Sequence, residues 1–420
     1  NKLFEANPGG APCNVLAMLQ KLGHQTAFIG KVGQDAFGRL LVDAVKEQGI
    51  DTTGVRYDDN VHTTLAFVQT AADGDRDFSF YRNPGADMML TADEVDLSLV
   101  RNAKIFHFGS LSMTDKICEN ISKVLIGREK EIRVILAALY AGGHVLVEDR
   151  PGTGKTLLAK TFAKSIGGQF KRVQFTPDLM PSDITGLSIY NRKSEDFVLV
   201  KGPVFTNILL ADEINRATPR TQSSLLEAME EQQVTIDGES HALDTPFFVI
   251  ATENPIETTG TYPLPEAQLD RFLIKISMGD NSKATEVSIM DRFMSENPFD
   301  TLQTVCDTDH IKTMQEAVRE VFVHSCVKEY IADIILATRN NSRIQVGASS
   351  RGTIGLLRLS QAYAAMEGRT FVRPDDVRYM APYVLAHRVI MAGHMDEKKE
   401  KTVIRELVDQ IAVPVEDWEN

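Results

Sequence analysis

Tryptophan occurs once and cysteine four times in 420 residues, and Cys13, Cys118, Cys306 and Cys326 stand far apart with no CxxC pair. That scarcity excludes a disulfide framework and a zinc knuckle, and it makes reduced, cytoplasmic chemistry the expected setting. Positive charge is also in deficit. With 45 basic against 58 acidic residues the net charge is -13, which argues against a broad phosphate-binding surface for nucleic acid while leaving room for a small local basic site. No apolar run reaches bilayer length and no charged-then-apolar leader opens the chain, so no membrane insertion is expected. Residue 1 is Asn rather than Met, from which a missing beginning is expected. The length is too great for one ordinary core and implies two or three domains.

What the chain does have is a phosphate loop. Asp149, Arg150, Pro151, Gly152, Thr153, Gly154, Lys155 and Thr156 spell DRPGTGKT, followed by Leu157. Gly152, Gly154, Lys155 and Thr156 fit GxxxxGK[ST], in which backbone N–H groups at a helix start surround phosphate oxygens and lysine neutralises them. Asp149 stands where the strict pattern has glycine. The expected order of elements surrounds this loop: His144 to Glu148 reads as a buried strand entering it and Lys155 to Ile166 as the helix leaving it.

Two further apolar runs end in polar residues. Ile208 to Ala211 reads as a buried parallel strand ending in Asp212 and Glu213, and Phe247 to Ala251 as another ending in Thr252, Glu253 and Asn254. Asp212 is suited to magnesium, Glu213 to polarising the water that attacks a terminal phosphate, and Asn254 to orienting that water. Each piece also has a plain structural alternative: DE as a helix cap or solvated turn, and ThrGluAsn as the start of a loop. Their joint occurrence in this order favours an ATP and Mg2+ site.

Residues 1–112 alternate strand and helix signals. Thr26 to Ile29 is a short strand candidate, Ala36 to Gln48 a helix through Phe37, Leu40, Leu41 and Val45, and Leu65 to Thr70 with Phe78 to Tyr81 a hairpin. Through NPGGAPCN, FIGKVGQDAFG, FSFYRNPGADMML and AKIFHFGS, this segment resembles the N-terminal part of ribokinase (PfkB)-type sugar kinases, most closely fructokinases. Leu16 departs from that family's small residue. The resemblance implies that Gly9, Gly10 and Asn14 lie against a sugar. The late GAGD motif that carries the family's catalytic aspartate is absent from the sequence, so sugar kinase activity is not expected. The resemblance stops near Ser110, and the segment reads as a truncated sugar-kinase-like fold. A fresh helical start follows Met113, which we expect to be a former initiator at a junction of two coding regions.

From about Thr114 the chain resembles the MoxR family of AAA+ ATPases, through IGREKEI, DRPGTGKT, QFTPDLMPSDITG, GPVFTNILLADEINRATPRTQSSLLEAMEE, FFVIATENPIE and TYPLPEAQLDRFL. Asp149 is an accepted variant in such proteins. The resemblance implies an α/β P-loop core over residues 113–280 and an all-helical lid over 281–420. It implies Lys155 and Thr156 at phosphate and magnesium, Asp212 and Glu213 as the Walker B pair, and Asn254 as sensor 1. It also implies that Arg271, in LDRF, reaches a neighbouring subunit's site, and that Arg351, in GASSRG, acts as sensor 2 on its own subunit's nucleotide. The alternative for Arg271 is a local ion pair with Glu266 or Asp270; for Arg351 it is a helix opening after Ser349 and Ser350. Arg216, in EINRA, is a further interface candidate.

Two hairpins mark the subgroup. Leu187 to Tyr190 and Phe197 to Val200 flank NRKSED, resembling the helix-2 insert; Val234 to Ile236 and Ala242 to Leu243 flank AspGlyGluSerHis, resembling the pre-sensor hairpin. Such hairpins face a pore or client in related machines, or pack passively. Thr218 and Pro219 read as cap and first turn of a helix carrying Leu225, Leu226 and Met229. Val327, Tyr330, Ile331, Ile334 and Ile335 form a lid stripe, and Ile354 to Met366 and Asp375 to Ala386 continue with helical spacing. The function implied is a homo-oligomeric, hexameric ring that hydrolyses ATP to remodel or mature protein clients, with von Willebrand factor A-domain proteins as associated partners. A nucleotide-gated scaffold with little turnover, and a sugar kinase, are the competing readings.

Overall fold

The computed structural model describes residues 9–70, 76–81, 84–106, 111–150, 152–193, 195–254, 260–295, 298–393 and 397–414. The chain divides into two compact units, Asn1–Gly109 and Ser110–Asn420.

In the first unit a helix, Ala11–Lys21, precedes a parallel strand pair, Ala27–Gly33 with Asp51–Asp58, joined through the helix Ala36–Glu47. Asp35 caps that helix by accepting the Gly38 N–H at 2.8 Å, and the same carboxylate accepts from the Thr63 N–H and hydroxyl, both at 2.8 Å. Leu65–Thr70 pairs antiparallel with Arg76–Tyr81. The turn AspGlyAsp expected between them lies outside the described residues.

The second unit is built on a five-stranded sheet: β1 (Val145–Glu148), β2 (Phe170–Gln174), β3 (Ile208–Asp212), β4 (Phe248–Glu253) and β5 (Ile274–Ile276). All are parallel, in the spatial order β5-β1-β4-β3-β2. β1, β3 and β4 are apolar and buried because helices cover both faces of a parallel sheet. One apolar cluster, with Phe162, Ile135 and Leu210, continues into the C-terminal helices through Ile331, Leu356 and Val384; another, with Leu209, Leu225 and Val249, fills the opposite face. Truncating a fully buried side chain such as Leu210 to alanine costs about 2–5 kcal/mol by the usual loss of transfer energy and the cavity left behind.

The helices Thr308–Arg319, Ser325–Arg339, Ser350–Met366, Pro374–Leu385 and Glu397–Asp409 form the helical lid, with one short antiparallel pair, Ile344–Val346 with Ile390–Met391. The stripe Val327, Tyr330, Ile331, Ile334 and Ile335 is core. Two sequence expectations shift. The fresh helical start begins at Leu111 and runs to Ser122, so Met113 lies inside the helix. The second hairpin is Gln233–Ile236 with Glu239–Ala242, because Asp237 and Gly238 both take positive φ and close a two-residue turn; Glu239, Ser240 and His241 are therefore strand, not turn. The first hairpin, Gly186–Asn191 with Asp196–Lys201, carries a Tyr190–Phe197 edge contact.

Candidate active site

Sheet order brings three strand ends into a row. β4 lies between β1 and β3, pairing Glu253 with Glu148 and Ala251 with Ala211, so the loop after β1, the end of β4 and the end of β3 are adjacent. Charged and polar residues gather there because strand C-termini and a helix N-terminus meet at the same edge of the sheet.

The phosphate loop turns on glycine. Gly152 and Gly154 take φ of +85° and +86°, a conformation strained for other residues, and Gly154 caps the helix Lys155–Ser165. The free N–H groups of that helix's first turn, with its positive dipole end, make the loop an anion-binding edge. The Thr153 hydroxyl donates to the Arg150 carbonyl at 3.2 Å; Thr156 and Leu157 are half-buried, and Pro151 lies outside the described residues. The Lys155 ammonium donates to the Asp149 carbonyl at 2.6 Å and to the Glu253 carbonyl at 3.4 Å. Burial lowers its pKa, against the pull of Asp149, Asp212, Glu213 and Glu148.

Asp149 has a structural use that the motif does not reveal. Its carboxylate accepts from the Ser277 hydroxyl at 2.9 Å and from the Met278 N–H, and its own N–H donates to the Glu253 carbonyl at 3.2 Å. The loop is thus tethered to the segment following β5, which a glycine could not do.

At the end of β3 one hydroxyl engages the Asp212 carboxylate and the Glu213 backbone. Thr252, fully buried, donates to Asp212 Oδ1 at 2.6 Å and accepts the Glu213 N–H at 2.8 Å. The other Asp212 oxygen receives Arg172 Nη2 at 2.7 Å and Nε at 3.2 Å. Glu213 adopts φ of +55°, which costs a non-glycine residue about 1 kcal/mol. Its carboxylate accepts from Gln174 Nε2 at 2.8 Å and pairs with Arg216 Nε at 3.0 Å. Glu213 caps no helix with its side chain, and Thr252 and Glu253 belong to the strand rather than a loop start. Asn254 is buried directly after them.

Beneath the loop, Lys275 forms an ion pair with Glu148. Burial pushes the Glu253 carboxyl up to about 7, with Glu148 adding to the rise and Lys275 and Lys155 opposing it. His144, buried at the entrance to β1, accepts the Val249 N–H at 3.1 Å and bonds the Met229 carbonyl at 3.1 Å; burial brings its pKa down to about 4.

The two distant arginines both pair with Glu230, which was not among the partners expected from sequence. Arg271 Nε lies 2.9 Å from Glu230 Oε2, and Arg351 Nη2 lies 2.5 Å from Glu230 Oε1. Asp270, a candidate partner for Arg271, instead accepts from Arg388 Nε at 2.7 Å and from Ser349 at 3.0 Å. Arg351 does open its helix, its N–H donating to Ser349 Oγ at 3.1 Å. In the first unit, Gly9 and Gly10 lead into the helix bearing Asn14, whose N–H donates to the Gly10 carbonyl at 3.0 Å; all three are exposed.

Arg172, Gln174, Glu230, Ser277 and the linking role of the Thr252 hydroxyl escape a reading of the sequence. For Arg172 and Gln174 a signal exists: polar residues two apart in FKRVQ share one face of a strand beside β3.

A loop of this conformation at the end of a parallel strand, beside an acidic pair on a strand two places away, defines a P-loop nucleotide-binding protein of the AAA class. The description "ATPase family associated with various cellular activities (AAA)" matches residues 144–274, and an AAA lid domain matches 336–409. The uncharacterized protein YeaC of Bacillus subtilis is 48% identical over 305 residues, covering 72% of this chain and 95% of that protein. Chaperone MoxR1 of Mycobacterium tuberculosis is 40% identical over 305 residues, covering 70% and 80%. A solved "putative ATPase" from Cytophaga hutchinsonii aligns with a TM-score of 0.66 at 36% identity, covering 73% of this chain and 96% of that one. The chain belongs to the MoxR family of AAA+ ATPases. Its N-terminal part matches the pfkB family of carbohydrate kinases over residues 1–141, beyond the limit near Ser110 read from sequence and into helices that the structure assigns to the second unit. Fructokinase of Solanum tuberosum is 45% identical over 134 residues, and the chain spans 42% of that enzyme.

Proposed function

We propose that this protein binds ATP with Mg2+ and hydrolyses it in a homo-oligomeric ring, of six subunits by its resemblance, to remodel or mature protein clients in the cytoplasm. The observation that carries this reading is the Thr252 hydroxyl, which ties Asp212 and the Glu213 backbone to the strand beside the phosphate loop. Three polar strand ends arranged so closely have a chemical use in phosphoryl transfer and no evident use in packing.

The donors suit the groups they would hold. Arg172 now sets a positive charge against Asp212, where Asp212 with Thr156 would hold magnesium. A magnesium ion held by these two residues would supply positive charge against the negative charge of the phosphates. Lys155, its ammonium now on two carbonyls, would exchange these for phosphate oxygens. Glu213 would accept hydrogen bonding from the attacking water, with Gln174 holding the carboxylate and Asn254 orienting the water. Arg271 and Arg351 share Glu230, so we assign both to a neighbouring subunit's nucleotide rather than dividing them between neighbour and own site. The resemblance extends the client reading to von Willebrand factor A-domain proteins. Without the GAGD motif, the N-terminal segment is assigned no sugar kinase activity.

The test is magnesium-dependent ATP turnover of wild type against Glu213→Gln. The reading expects turnover to fall by about 10²–10³ while nucleotide binding persists, as when a transition-state interaction is removed. Equal rates would leave only the nucleotide-gated scaffold.

A further inference from the structure

Glu230 occupies the last turn of the helix Pro219–Glu231, outside every motif that the proposed function uses. Its two carboxylate oxygens are divided between two arginines from distant parts of the chain. Arg271 comes from the segment before β5 and Arg351 from the first turn of a lid helix, 121 residues beyond Glu230. One carboxylate against two guanidiniums leaves a net charge of one positive unit. The trio is only partly exposed, with side-chain exposures of 37% for Glu230, 28% for Arg271 and 50% for Arg351.

We propose that Glu230 is the positioning residue for the arginine pair that completes a neighbouring subunit's ATP site. Two unshielded guanidiniums repel each other and adopt many rotamers; a carboxylate between them removes the repulsion and orders both. The remaining positive unit, with the N–H groups not used on Glu230, is available to an anion such as a terminal phosphate. Because Glu230 belongs to the core and Arg351 to the lid, the same carboxylate also couples lid position to the placement of Arg271. This inference rests on the assignment of both arginines to the neighbour's site.

The experiment uses full-length variants mixed pairwise, with magnesium ATP turnover as readout. Glu230→Gln keeps the shape and one hydrogen-bonding oxygen but not the charge. It is expected to lower kcat on the order of tenfold with KM changed little, because the misplaced groups act in the transition state. Mixing it with Lys155→Ala, whose own site is dead but whose Glu230, Arg271 and Arg351 are intact, is expected to raise the rate per Glu230→Gln subunit. A residue that only supported its own subunit would show no such rescue. Unchanged or increased kcat in Glu230→Gln, or absence of rescue in the mixture, overturns the inference. Arg271→Ala mixed with Lys155→Ala is the control. Rescue there without rescue of Glu230→Gln removes Glu230 alone, whereas failure of both removes the shared-site reading together with it.

Discussion

The two units start from similar material, strands alternating with amphipathic helices, and differ in how far the pattern is completed. In the second unit five parallel strands are sandwiched between two apolar clusters. In the first, the described strands form only a parallel pair and a hairpin, and Met18, Leu22, Phe37 and Leu40 are exposed. A parallel sheet concentrates chemistry at its C-terminal edge only when several strand ends stand together. The second unit achieves this at Asp149, Thr252 and Asp212. The first presents Gly9, Gly10 and Asn14 at one helix start, and the sequence contains no GAGD motif.

The sharpest way to break that contrast is Lys155→Ala. We expect ATP turnover to fall by at least about 10²-fold, through loss of the charge that meets the phosphates, and fructose to produce no additional ADP in either wild type or variant. Fructose-dependent ADP release surviving Lys155→Ala would assign phosphoryl transfer to the first unit. A coupled ADP assay reads both.

A smaller effect is expected at Thr252. Thr252→Val removes the hydroxyl that accepts the Glu213 N–H and donates to Asp212, leaving the acceptor for a partly buried donor unfilled. Turnover should fall about tenfold and stability by about 1–3 kcal/mol, as measured by steady-state rates and denaturant unfolding. An unchanged rate would mean that the acidic pair does not need this link.

The smallest expected effect concerns pH. Burial raises the folded-state pKa of Glu253 from 4.5 to about 7, so its contribution favours the fold below 4.5 and is lost as pH rises through about 7. Glu253→Gln should therefore melt a few degrees above wild type at pH 8, corresponding to about 1 kcal/mol, and the gap should close towards pH 4.5. Thermal denaturation of nucleotide-free protein reads this; a gap independent of pH would contradict the burial of a charge beneath the loop.

Much of the second unit was legible because its signals are local. Continuous apolar runs gave β1, β3 and β4 within one or two residues, since strands covered on both faces must be apolar throughout. The phosphate-loop pattern gave Lys155, and the polar residues closing β3 and β4 gave Asp212, Glu213 and Asn254 as candidates. What escaped was set by distance in sequence. Thr252 and Asp212 are 40 residues apart, Arg351 and Glu230 121 apart, and Ser277 and Asp149 128 apart. No periodicity links such pairs; the sheet order does. The local ion-pair alternative for Arg271 was right in kind and wrong in partner, because Asp270 is engaged by Arg388. In the first unit the hairpin and the helix were equally legible.

The central claim is that ATP turnover belongs to the second unit and is completed by a neighbouring copy. The most direct measurement is specific ATPase rate against protein concentration, for the full chain, for residues 110–420 alone and for full-length Arg271→Ala. The account predicts that the rate rises with concentration to a plateau in both wild-type forms and stays at least about 10²-fold lower in the variant. A specific rate that is flat from well-dissociated protein upward, or one unaffected by loss of Arg271, would contradict it.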